Sequence, residues 1–177
     1  MPNAQSSNIF LTGFMGAGKS TVGRALAQQL GYRFADLDQL IVEREGRSIR
    51  EVFAAQGEAY FRDCESAVLA EQCEETGTVF ATGGGIVGRE KNRALMKAAG
   101  VVVYLYASWP VLRRRLEAGS GRPLADPAAG WDPVQLLWQS RLPWYEEANM
   151  IIDTDRLRVA EVVAEIIAGL GLAKVAP

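Results

Sequence analysis

Gly13-Phe14-Met15-Gly16-Ala17-Gly18-Lys19-Ser20 sets the fold class of this 177-residue chain. The stretch fits G-x-x-x-x-G-K-[ST], a glycine-rich turn that cradles phosphate. Upstream, Asn8-Ile9-Phe10-Leu11-Thr12 reads as a buried strand. Downstream, a helical pattern runs from about Lys19 to Leu30 and stops at Gly31. A turn in that position lets backbone N–H groups converge on phosphate oxygens, and the positive end of the helix dipole adds to the attraction. In that setting Lys19 would reach the β- and γ-phosphates of a nucleotide, and the Ser20 hydroxyl would ligate Mg²⁺.

Outward from this turn, strand and helix patterns keep alternating. Arg33 to Asp36 reads as a second strand, followed by a helix through Glu45 that Asp38 could cap and Gly46 closes. Ser48 to Gln56 and Glu58 to about Glu75 read as two helices, and Thr78 to Thr82 as a third strand. A helix near Arg89 to Ala99 precedes the fourth strand, Val101 to Tyr106, and Pro110 suits the first turn of the next helix. Ala118 to Gly130 is rich in Gly and Pro and reads as a mobile loop. Asp132 to about Ser140 is helical, and Met150 to Asp153 is a fifth strand. In the last helix Val159, Val162, Val163, Ile166, Ile167 and Leu170 form one apolar stripe, which is core packing. Continuous apolar strands between helices imply a parallel sheet covered on both faces, with ligands at the carboxyl ends of its strands. No repeat or linker divides the chain, so residues 1–177 are expected to form one domain.

Composition removes several kinds of chemistry. The chain has no histidine, which excludes imidazole metal sites, Ser-His-Asp systems and histidine acid–base catalysis. A net charge of −2 gives no electrostatic case for nucleic acid. Arg nevertheless supplies most of the cations, with a cluster at Arg113, Arg114, Arg115 and Arg122; Arg suits bidentate capture of carboxylate and phosphate. Cys64 and Cys73 lie on one helical pattern about 13 Å apart, whereas a disulfide needs Cα atoms within roughly 7 Å. They are expected to be reduced. The longest apolar run, Val101 to Ala107, is too short to span a membrane, and Met1 to Asn8 carries no cationic side chain of a targeting signal. A cytoplasmic protein is the expectation.

The remaining candidates sit at strand and helix ends. Asp36 and Asp38 end the second strand; beside a phosphate loop, one carboxylate suits a metal and the other a hydroxyl nucleophile. The plainer alternative makes Asp38 an N-cap and Asp36 a solvated loop residue. Arg62 and Glu65, three apart on a helix, read equally as a surface ion pair. Gly83-Gly84-Gly85 after a buried strand permits close ligand approach, or positive φ in a tight turn without a ligand. Arg122-Pro123-Leu124 in the loop at about 118–130 reads as part of a lid that brings a cation onto transferring phosphate. Arg141 offers another guanidinium at the end of a helix. Trp109, Trp131, Trp138 and Trp144 are explained by apolar packing.

Taken together, these positions resemble the shikimate kinase family from Ile9 to about Gly169. The resemblance rests on Gly13 through Thr21, Asp36-x-Asp38, Gly57-Glu58 leading to Phe61-Arg62-x-x-Glu65, Gly83 to Gly85, Arg122-Pro-Leu and Arg141-x-Pro-x-Tyr145. It implies an α/β P-loop kinase fold, a five-stranded parallel sheet with helices on both faces and a mobile lid, as in nucleoside monophosphate kinases. It further implies ATP as co-substrate with Mg²⁺ and transfer of the γ-phosphoryl group to the 3-hydroxyl of shikimate. Gly13, Gly16, Ala17, Gly18, Lys19, Ser20 and Thr21 would then hold the ATP phosphates, and Ser20 and Asp36 the metal. Asp38 would contact the acceptor hydroxyl as base or orienting group. Arg62 and Arg141 would clamp the carboxylate, Gly83, Gly84 and Gly85 line that pocket, Arg122 close over the γ-phosphate, and Arg115 contact adenine. Leu157, Ala125 and Trp144 depart from the common pattern without touching these positions.

Two rival readings accompany this one. A related kinase acting on gluconate or a nucleoside monophosphate would share Lys19 without depending jointly on Asp38, Arg62 and Arg141. A nucleotide-gated binding protein is the alternative from another class, disfavoured because no Asn-Lys-x-Asp guanine motif is present. A monomer without nucleic-acid or membrane partners is expected.

Overall fold

The computed structural model describes residues 7–119 and 130–174. Strands β1 (Asn8–Thr12), β2 (Arg33–Asp36), β3 (Thr78–Ala81), β4 (Gly100–Tyr106) and β5 (Met150–Asp153) form one sheet in the order β2-β3-β1-β4-β5. Every neighbouring pair is parallel, with Phe10 of β1 facing Phe80 on one side and Val102 on the other. β1 and β3 are buried at every position, as strands covered on two faces must be.

Each face has its own packing. Gly23 in α1 (Lys19–Leu30) lies so close to the sheet that a methyl there would fall 2.6 Å from Phe34 and 3.3 Å from Leu11. α7 (Val159–Gly169) packs beside α1 and buries Val162, Val163, Ile166 and Ile167, while Val159 stays exposed at the start of the stripe. Phe10 points the other way from Leu11 and stacks on Phe80, ring centroids 5.0 Å apart. Each such fully buried side chain contributes about 2 kcal/mol of hydrophobic stabilisation.

Three local outcomes differ from the sequence expectation. The cap of α2 (Leu37–Glu45) is Asp36, whose Oδ1 accepts the Asp38 N–H at 3.1 Å; Asp38 is the second helical residue. Its side chain is therefore not spent on the cap. The two helices expected around Gly57 join into one run, α3 (Ile49–Gln72), broken only by extended, left-sided backbone at Gly57 with φ 80° and ψ 175°. A capping box starts this run: Ser48 Oγ accepts the Glu51 N–H at 3.2 Å, and the Glu51 carboxylate accepts the Ser48 N–H at 2.7 Å. The third difference is α6 (Asp132–Tyr145), which continues past Ser140 with Pro143 inside it. Proline costs one ladder hydrogen bond there, but the extra turn carries Arg141 and Tyr145, both buried, on from the buried Trp138.

The other elements fall close to expectation: α4 (Glu90–Ala99) follows a single 3₁₀ turn at Ile86–Gly88, and α5 (Trp109–Ala118) carries Pro110 in its first turn. Cys64 and Cys73 are free thiols. Among the described residues no helix is long and apolar enough to cross a membrane. Arg122 and the expected lid, apart from its two ends, lie outside the described residues. The sheet order brings the carboxyl ends of β1, β2 and β3 side by side, where ligands of doubly wound sheets collect.

Candidate active site

A cavity of about 550 Å³ opens at those strand ends. One wall is the stretch that follows β1. Gly16 and Gly18 have φ of 84° and 93°, backbone that a side chain would strain. They share the wall with Lys19, Ser20 and Thr21. Gly13 and Ala17 stand behind it. A methyl on Gly13 would fall 2.8 Å from the Leu105 carbonyl oxygen, and the Ala17 N–H donates to the Phe14 carbonyl at 3.1 Å. The Lys19 ammonium arches over the loop, donating to the Gly13 and Phe14 carbonyls at 2.7 and 3.0 Å.

Where α1 meets β2, the Ser20 hydroxyl donates to Asp36 Oδ2 at 2.6 Å. Asp36 thus divides its oxygens: Oδ1 caps α2 and Oδ2 faces Ser20. Two hard oxygen donors side by side at a phosphate site fit Mg²⁺, which keeps waters and substrate phosphates among its ligands. A metal held by protein alone does not fit, since among the described residues no three acidic, Cys or His side chains stand close enough together to hold a metal ion.

The opposite wall is assembled from four elements. Asp38 comes from α2, Arg62 and Glu65 from α3, Gly83, Gly84 and Gly85 from the turn after β3, and Arg141 from α6. None of the three glycines has positive φ, so the turn does not need glycine for conformation. It needs the missing Cβ. A methyl on Gly83 would lie 2.7 Å from Glu65 Oε1 and 2.9 Å from Asp38 Oδ1, and one on Gly85 would collide with the Arg62 guanidinium. The Tyr145 hydroxyl, four residues beyond Arg141, donates to the Gly84 carbonyl and ties α6 to the turn. Burial holds that phenol well above its ordinary range.

Arg141 is buried with its guanidinium 5.8 Å from the Phe14 ring centroid. Arg62 pairs with Glu65 at 2.9 Å and with Glu58 at 3.4 Å. The surface ion pair that helical spacing alone would suggest is therefore an inward one: the Glu65 side chain is 1% exposed and that of Arg62 14%. Burial pushes the Glu65 carboxyl up to about 7; Arg62 and Arg141 draw it down, and Asp38 adds to the rise.

Lys19, Ser20, Thr21, Asp36, Asp38, Arg62, Gly83 to Gly85 and Arg141 thus surround one space. Arg115 does not line it. Its guanidinium donates to the Gly16 carbonyl at 3.3 Å and the Thr154 carbonyl at 3.2 Å, behind the phosphate loop. The sequence reading gave no site role to Met15 and Phe61, though both stand in its motifs, and passed over Ile49, Arg50 and Phe53; all five line the cavity. Ile49 and Phe53 are one helical turn apart, and Phe53 packs on Phe61 at 4.7 Å between centroids. Their spacing was visible, but apolar residues at helical spacing signal core far more often than pocket.

The Shikimate kinase family model matches residues 15–170. The chain is 45% identical to a shikimate kinase of Geobacter metallireducens over 159 residues, 90% of this chain and 89% of that one. It is 42% identical to a Bacillus anthracis shikimate kinase over 90% of this chain and 95% of that one. Among solved structures, the Acinetobacter baumannii shikimate kinase in complex with shikimate superposes with a TM-score of 0.88 at 36% identity, covering 93% of this chain and 92% of that one. A gluconokinase from Sinorhizobium meliloti reaches a TM-score of only 0.59 at 22% identity, a likeness of fold alone. Matched by that family model over most of its length and 45% identical to a member across 90% of its residues, the chain belongs to the shikimate kinase family.

Proposed function

We propose that the chain transfers the γ-phosphoryl group of ATP to the 3-hydroxyl of shikimate, acting as a cytoplasmic monomer in the route to aromatic amino acids. The reading rests above all on one observation: Lys19 and Ser20 share a single cavity with Asp38, Arg62 and Arg141. A ring alcohol with one carboxylate calls for cations at one end and an acid–base group at the other. Arg62 and Arg141 grip the carboxylate, as guanidinium groups do in bidentate pairs. Asp38 orients the 3-hydroxyl and accepts its proton as the oxygen attacks phosphorus. Lys19 lies against charge that develops on the phosphoryl oxygens, and the amides of the loop hold the remaining phosphates.

Ser20 and Asp36 would hold Mg²⁺, which when bound neutralises phosphate charge. Arg115, lodged between Gly16 and Thr154, would meet the nucleoside end of ATP. Such catalysis is positioning and electrostatics, with little covalent work for the protein. An ADP-release assay over shikimate, gluconate and nucleoside monophosphates tests the reading. Turnover with shikimate alone is expected, and ADP release independent of shikimate would overturn it.

A further inference from the structure

Asp36, Asp38 and Glu65 line the cavity, and Glu65 is unlike Asp36. Asp36 accepts a hydroxyl and a backbone amide, whereas Glu65 is 1% exposed and only one of its oxygens is satisfied. Oε2 accepts Arg62 Nη1 at 2.9 Å; Oε1 has no hydrogen-bond partner among the described residues. That bare oxygen faces the Gly83 turn together with Asp38 Oδ1, the two lying 2.7 and 2.9 Å from where a Gly83 methyl would sit. A buried anion with an unsatisfied oxygen is costly, whereas a protonated carboxyl has an O–H to donate and still accepts through its carbonyl oxygen.

The charged and titratable groups around Glu65 come from three helices. Arg62 and, beyond it, Glu58 share α3; Asp38 faces it from α2; Arg141 and Tyr145 face it from α6. Burial and Asp38 favour the neutral form, and the two arginines favour the anion. Inside the cavity the two guanidinium charges already face the Glu65 and Asp38 carboxylates, with the exposed Glu58 on the outer side of Arg62. A substrate carboxylate docking on Arg62 and Arg141 adds a third anion to the same low-dielectric space.

We propose that Glu65 takes up a proton from solvent when the acceptor's carboxylate binds, leaving Arg62 and Arg141 fully available to that carboxylate. The step is a proton transfer alone: an O–H bond forms at Glu65 Oε1 as the buffer acid gives up its proton and becomes its conjugate base, and no bond between heavier atoms changes. Glu65 is then a positioning residue: neutral, it keeps Arg62 in place through a hydrogen bond while giving up its competing charge. The inference deepens the proposed acceptor site and rests on that reading. Because the bound form holds the extra proton, shikimate binding weakens as pH rises.

Calorimetric titration of the nucleotide-free protein with shikimate at pH 8, in buffers of different ionisation enthalpy, reads the proton directly. Uptake of about half a proton or more per shikimate is expected, with Kd rising several-fold between pH 7 and pH 9. In Glu65→Gln, whose amide oxygen can still accept from Arg62, uptake falls to near zero and Kd becomes flat with pH. In Asp38→Asn uptake persists. Binding without uptake in the native protein, or undiminished uptake in Glu65→Gln, overturns the inference and leaves the acceptor reading standing. No binding at all would end both. If Glu65→Gln does not fold, difference infrared spectra of the native protein decide: a carboxylic-acid C=O band should grow as shikimate is added, and its absence would refute the proposal.

Discussion

On the phosphate side of the cavity one unbroken stretch, Met15 to Thr21, supplies the wall; on the acceptor side Asp38, Arg62, the Gly83 turn and Arg141 arrive from positions spread over a hundred residues. The first wall is backbone held by local bonds, such as the Ala17 amide to the Phe14 carbonyl. Long-range contacts hold the second: Tyr145 to Gly84 and Glu65 against the turn that carries Gly83. In the proposed reading the local wall meets nucleotide phosphates alone. A wall of side chains from four elements ties acceptor binding to the packing of the whole molecule, so the two sides should fail in different ways when changed.

The largest effect is expected at the local wall. Lys19→Ala should lower kcat by about a thousandfold or more, because a preorganised cation is lost from the phosphoryl oxygens, while calorimetry still finds shikimate bound. Across the cavity, Asp38→Asn should reduce kcat by about a hundred- to a thousandfold, the scale of a lost general base. KM for ATP should hold steady in steady-state assays. Equal loss of ATP binding in Asp38→Asn and Arg62→Ala would erase the distinction between the walls.

Arg62→Ala should raise KM for shikimate about ten- to a hundredfold, the worth of a charge-assisted hydrogen bond or two, with kcat changed far less. Gly85→Ala sharpens the contrast further. Its backbone tolerates alanine, but the new methyl collides with the Arg62 guanidinium, so KM for shikimate should rise about tenfold with ATP kinetics intact.

The smallest effect is one of stability. The Glu65 carboxyl sits near 7 in the folded protein against an ordinary 4.5. Between those values the folded state holds the extra proton. Stability from this group is therefore lost as pH rises toward about 7 and regained as pH falls toward about 4.5. Thermal melts of Glu65→Gln should lack that slope, the native protein losing a few degrees relative to it between pH 5.5 and pH 8.

Much of this was legible in order along the chain. Alternating apolar strands and capped helices announced the parallel sheet, and the spacing of Gly13, Gly18, Lys19 and Ser20 announced the phosphate loop. Less legible were outcomes that depend on what a residue meets after folding. Asp36 and Asp38 are the same residue type two apart and both line the cavity, and only the chain's path into α2 makes the first and not the second the cap. Arg62 and Glu65 match an exposed ion pair in every sequence respect, yet the turn from Gly83 to Gly85, Asp38 and α6 crowd around them. For Gly83 and Gly85 the sequence allowed close approach to a ligand or positive φ; neither φ is positive, and the neighbouring carboxylates and guanidinium exclude a side chain.

Short-range pattern by itself determined the sheet, the loop that follows β1 and the set of polar residues able to serve a kinase, because periodicity, caps and glycine turns act within a few residues of one another. Only the tertiary structure decided that Asp38, Arg62, Glu65 and Arg141 face each other and that Glu65 is shut away from water. Charge and desolvation depend on distance in space, and the chain brings those four side chains together from three helices that share no local signal.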